Sequence, residues 1–121
     1  MKLHASLFFS LFIAGLTFTG GCKKVAESAV DCFGESLLVS VKADADASNS
    51  KLINFEARYI GDLSVSSVVW DFGDGTSQTA TSTTSSHTYL KAGNYTVKAK
   101  VALLHNGSTC RPEPTKSIVV D

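Results

Sequence analysis

Val68-Val-Trp-Asp-Phe-Gly-Asp-Gly-Thr76 is the stretch that decides how this chain folds. Val68, Trp70 and Phe72 fall two apart, so on a strand they share one face. Trp70 is the only tryptophan, and an indole is the largest block of apolar surface a small core can use. Gly73, Asp74 and Gly75 then follow the strand directly. Asp-Gly is among the strongest turn dipeptides: glycine reaches positive φ without steric cost, and an aspartate oxygen accepts backbone N–H groups two residues on. The spacing predicts a core strand running straight into a tight turn.

The same period of two extends in both directions. Glu35 to Asp44 reads as a half-buried strand, with Leu37, Val39, Val41 and Ala43 on one face. Leu52 to Tyr59 places Ile53, Phe55, Ala57 and Tyr59 inward and Asn54, Glu56 and Arg58 outward. Val65 to Phe72 is the third strand. The Ser- and Thr-rich residues from Thr76 to Ser86 read as short strands with a turn, because threonine favours a pleated surface. A long strand follows, with Tyr95, Val97, Ala99, Val101 and Leu103 inward and Lys98 and Lys100 outward. His105-Asn-Gly-Ser108 carries the Asn-Gly hairpin signal. Pro112 and Pro114 keep the next segment out of a central ladder, and Thr115 to Val120 is the last strand. About seven strands with no convincing helix predict an all-β sandwich.

Three motifs stand in order along these strands: Trp70-Asp-Phe-Gly-Asp-Gly75, then His87-Thr-Tyr89, then Gly93-Asn-Tyr-Thr-Val97. In that order they resemble the signature of the PKD domain, over roughly residues 35–120. The resemblance implies an immunoglobulin-like β-sandwich in which Trp70, Asp71, Phe72, Gly73, Asp74, Gly75, His87, Tyr89, Gly93 and Tyr95 are a structural motif. Asp71, Asp74 and His87 invite a catalytic reading with one of the many serines. The resemblance assigns the turn a structural role instead, and no catalytic residue is expected. Tyr89 and Tyr95 are expected in the core or at a corner that ties a hydroxyl to backbone. PKD domains generally mediate protein–protein or protein–carbohydrate contacts, or space other domains. Some bind calcium through loop carboxylates. Asp44, Asp46, Asn49 and Asp62 are the hard oxygen ligands on expected loops here, but they lack a dense spacing, and solvated turn residues are the simpler reading.

The N-terminus has a different character. Met1 to His4 is short and basic, Leu7 to Phe18 is an apolar run, and Thr19-Gly20-Gly21 leads to Cys22. This is the order of a secretory signal, and the run is shorter than the ~20 apolar residues of a spanning helix. The two glycines before Cys22 resemble the lipobox of bacterial lipoproteins, with Thr19 standing where that family usually has an aliphatic residue. The expected organisation is a signal peptide over residues 1–21, a tether over 22–34 with lipid on Cys22, and a domain over 35–121. Cys32 and Cys110 are then either two free thiols or, as an exported compartment favours, a disulfide.

Lysine plus arginine and aspartate plus glutamate both number 11, so formal net charge is zero. With no basic face, nucleic acid is not an expected partner. No cofactor is expected. The expected partners are the membrane, through the lipid, and an envelope protein or polysaccharide; the expected place is the bacterial cell envelope. Most aromatics fall on inward positions, which weakens a sugar-platform reading, with Phe33 an exception outside the strands. The alternatives are an accessory subunit of an envelope hydrolase and a calcium-stabilised adhesion module.

Overall fold

The computed structural model describes residues 32–121. The expected signal peptide, Cys22 and the expected tether up to residue 31 lie outside the described residues. Eight strands follow in order: β1 (Val39–Ala45), β2 (Leu52–Tyr59), β3 (Ser64–Asp71), β4 (Ser77–Ala80), β5 (Thr84–Thr88), β6 (Gly93–His105), β7 (Ser108–Cys110) and β8 (Thr115–Val120). They form two antiparallel sheets. One has the order β1-β2-β5; the other runs β4-β3-β6, with β7 and β8 both along the far side of β6.

The inward faces of both sheets supply the core. Val39 and Val41 come from β1, Ile53, Phe55 and Ala57 from β2, Val68 and Trp70 from β3, and Val97, Ala99, Val101 and Leu103 from β6. Phe55 of the smaller sheet packs against Trp70 and Phe72 of the larger one, each at a ring-centroid distance of 5.6 Å. The sheets are thus joined by a layer of tilted aromatic rings, a geometry that adds to simple area burial.

Two local devices adapt the period of two to this packing. Val65 and Val68 are three apart, so a regular strand would put them on opposite faces. A bulge between Val65 and Ser67 adds a residue, and both valines pack with the core. On the other side of β6 the ladder continues through the prolines. The N–H groups of Val101 and Ala99 donate to the carbonyls of Pro112 and Pro114, at 2.9 and 3.0 Å. Proline has an acceptor but no donor, so the segment between β7 and β8 stays on the edge and bonds in one direction only.

The start of the domain departs from the sequence expectation. The first strand begins at Val39, four residues later than the alternation suggested, and residues 32–36 form one helical turn. Leu37, expected inward, is 72 % exposed. The cause is local. The Leu37 and Leu38 N–H groups bond back to the Gly34 and Glu35 carbonyls, closing turns that a strand cannot contain. Tyr59, also expected inward, is only half-buried. Its hydroxyl contacts the Glu35 carboxylate and accepts the Leu63 N–H at 3.1 Å. Burial first, then the Glu35 hydrogen bond, hold the Tyr59 phenol above its ordinary pKa.

Cys32 and Cys110 form a disulfide, with Cα atoms 5.4 Å apart and a separation of 78 positions in sequence. The bridge ties the helical turn to β7. It places the N-terminal side of the domain at the end of the sandwich that also carries the β2–β3 turn and the Asn106-Gly107 hairpin. There Asn106 and Gly107 both have positive φ, as a tight two-residue hairpin requires. The 72–76 turn, the 46–51 turn, the 89–92 loop and Asp121 lie at the opposite end. The registers Leu52↔Thr88 and Gly93↔Val120 fix this arrangement.

Candidate functional site

The 71–76 turn is the most heavily bonded surface feature of the domain, and it is built from the signature residues. Asp71 Oδ1 accepts the Gly73 N–H at 3.1 Å, and Asp74 Oδ1 accepts the Thr76 N–H at 3.0 Å. Each is an aspartate bonding two residues onward, the standard way this side chain holds a turn. Phe72 N–H donates to the Thr76 carbonyl at 3.1 Å and closes the loop. Gly73 has φ +79°, and a Cβ there would sit 2.4 Å from the Thr96 carbonyl oxygen. Only glycine satisfies both the backbone angle and this approach to β6.

His87, on β5 of the other sheet, completes the arrangement. Its Nε2 lies 2.7 Å from Asp74 Oδ2, and its ring stacks on Phe72 at 4.1 Å with an interplanar angle of 3°. Tyr89 meets that imidazole edge-on at 4.7 Å and donates its hydroxyl to the Phe72 carbonyl at 2.8 Å. Burial, then the charge of Asp74, push the Tyr89 phenol far above its ordinary pKa, so the hydroxyl remains a donor. Tyr95 packs on Tyr89 and donates to the Lys91 carbonyl at 2.7 Å, in the manner of a tyrosine corner. Gly93 opens β6 beside it. Trp70 is fully buried one layer deeper, its Nε1 without a hydrogen-bond partner among the described residues.

The chemistry of this cluster is that of a staple. A nucleophile–base–acid chain needs the imidazole in the middle, with one nitrogen for each partner. Here Asp74 and Thr76 approach the same nitrogen: Thr76 Oγ1 is 3.4 Å from His87 Nε2 and itself donates to Asp74 Oδ1. A carboxylate carries no proton, so the Nε2 facing it carries one and is no base for Thr76. Burial pushes the Asp74 carboxyl up, but the bonds from Thr76 and His87 outweigh it, and the net direction is below the ordinary value. Thr76 and the Thr96 carbonyl were not among the residues singled out in the sequence. A hydroxyl two places after a turn aspartate was the available signal for Thr76; the contact with Thr96 left none.

The calcium candidates do not converge. Asp44 lies within β1, one residue before its end, with a 3.6 Å ion pair to Lys42, and Asp46 and Asn49 bond the 48 and 51 N–H groups within their own turn. Asp62 sits at the other end of the sandwich, past the end of β2. Among the described residues, no group of three or more His, Cys, Asp or Glu side chains is close enough to hold a metal ion.

The fold and the site together define an immunoglobulin-like β-sandwich with a structural aspartate–histidine turn. The chain belongs to the PKD-domain family, whose family model matches residues 38–120. Among solved structures it is similar to the PKD1 domain of the Vibrio cholerae metalloprotease PrtV. Identity is 20%, coverage 69% of this chain and 94% of that one, and the TM-score 0.54. It is also similar to the PKD1 domain of Vibrio anguillarum Epp, with 20% identity, 69% and 90% coverage, and a TM-score of 0.55. No curated protein matches the chain.

Proposed function

We propose that this protein is a lipid-anchored, non-catalytic interaction module of the bacterial cell envelope, contacting an envelope protein or polysaccharide. The observation that carries the non-catalytic part is the Asp74–His87–Thr76 geometry, in which both carboxylate oxygens of Asp74 are taken up by Thr76 and His87. The lipid anchor rests on the sequence around Cys22. Binding falls to the loops at the end carrying the 72–76 turn, because the N-terminal tether leads to the opposite end and loops on a rigid sandwich are its natural contact surface. Leu90, 90 % exposed, stands at that end.

The test is crosslinking of the full lipoprotein in its native envelope, followed by mass spectrometry of its neighbours and of its own N-terminus. The expected result is a reproducible partner lost on substitution of Leu90→Ser and retained in an equally folded Leu104→Ser control, an exposed apolar position on β6 away from that end. Turnover of any substrate that disappears with His87→Ala at unchanged stability overturns the reading. The similar Vibrio cholerae domain is part of a metalloprotease. A partner that is itself an envelope hydrolase would therefore make this chain an accessory subunit.

A further inference from the structure

We propose that Phe33, Leu37 and Ile60 form an apolar foot that sits in the bilayer interface beside the lipid anchor and sets the domain upright, with the 72–76 end outward. The inference rests on the reading of Cys22 as the lipidated residue.

Single exposed apolar side chains are ordinary on a soluble surface; several at one end of a domain are not. Phe33 is 68 % exposed, Leu37 72 % and Ile60 75 %. Phe33 lies in the helical turn and Leu37 directly follows it, whereas Glu35 between them contacts Tyr59 through its carboxylate. Ile60 lies alongside, its N–H bonded to the Leu38 carbonyl at 3.2 Å. The foot is held rigidly at two points, by the Cys32–Cys110 disulfide and by the Glu35–Tyr59 contact. The backbone that carries Phe33 and Leu37 is thereby fixed at this end of the domain, which lowers the ordering cost of inserting their exposed side chains.

The position of the foot in the chain selects its occupant. Cys22 and Cys32 are ten residues apart, so the helical turn can stand no more than about 35 Å from an acyl chain on Cys22. Along the chain, Phe33 and Leu37 are the first exposed apolar residues of the domain after the anchor. Lys23 and Lys24, just after the anchor, match the negative charge of anionic headgroups. Apolar side chains inserted next to a lipid supply a second attachment, and a second attachment is what turns a swivelling tether into a fixed orientation.

The test uses the full lipoprotein in vesicles of phosphatidylethanolamine and phosphatidylglycerol with brominated acyl chains, which quench indoles that reach the hydrocarbon. Phe33→Trp reports the foot and Leu90→Trp the opposite end; buried Trp70 is a constant background. Both substitutions are at exposed positions, and unchanged thermal melts establish that both variants fold. The expected result is that Phe33→Trp emission is quenched at least about twofold more than that of Leu90→Trp. Equal quenching overturns the proposal. An indole at position 33 shielded from both bromine and aqueous acrylamide also overturns it, in favour of a foot covered by a second copy. The mass of the mature N-terminus separates the two levels of failure. An acylated Cys22 with an unquenched indole at position 33 sinks the foot alone, whereas an unmodified Cys22 sinks the anchor and the foot with it.

Discussion

Both oxygens of Asp74 are engaged within the domain, one by Thr76 and one by His87, and the net effect is a depressed carboxyl pKa. A group whose folded pKa is lowered stabilises the protein above its unfolded value, here 3.8, and loses that contribution as pH falls through the lower folded value. Acid unfolding followed by circular dichroism is expected to show stability falling below about pH 4, with a shallower slope in Asp74→Asn. Gly73→Ala meets two obstacles, a positive φ and the Thr96 carbonyl, neither of which yields easily. A loss of about 2 kcal/mol or more is expected in urea unfolding, and a neutral result would mean the turn does not press on β6. Trp70 sets a large gain against a smaller cost. Burying an indole removes about 150–250 Å² from water at about 25 cal/mol per Å², or ~4–6 kcal/mol, while an unpaired buried N–H costs about 1–3 kcal/mol. Burial wins, and Trp70→Ala is expected to cost about 3–5 kcal/mol. A loss under about 1 kcal/mol would place the indole in solvent.

At the level of elements, β6 carries the larger sheet. It pairs with β3 on one side and with β7, the proline carbonyls and β8 on the other. β4 and β5 each pair on one side only. Hydrogen exchange is expected to follow this order: amides of Val97 to Leu103 slowest, those of Ser77 to Ala80 fastest. Protection of β4 equal to that of β6 would mean a partner strand covers its edge. The disulfide acts at the same scale, since it joins the helical turn to β7. Replacing both Cys32 and Cys110 with serine removes a cross-link over 78 residues and is expected to cost roughly 4 kcal/mol in thermal unfolding. An unchanged melting temperature would show that the helical turn contributes nothing to the fold.

For the whole molecule, the two ends of the sandwich differ in chemistry: one carries the polar signature turn and the other the apolar foot and the disulfide. Much of the fold was legible in the chain because a strand with one buried face writes a period of two into its sequence. Ile53, Phe55 and Ala57, and Val97 to Leu103, could be placed by that rule alone. Turn residues were equally plain, since Asp-Gly and Asn-Gly are chosen for backbone angles that few other pairs accept. The same alternation misled at Leu37, where a helical turn closed by local hydrogen bonds took the residue out of the strand, and it had nothing to say about the bulge before Ser67. The amino-acid sequence by itself determined which side chains within β2 and β6 face inward, Tyr59 at the end of β2 excepted, and where the chain reverses, because both depend on neighbours a few residues away. Only the tertiary structure decided that His87 meets Asp74, that Thr96 presses on Gly73, and that Phe33, Leu37 and Ile60 share one end, because these pairings depend on how two sheets stack and no local pattern records that.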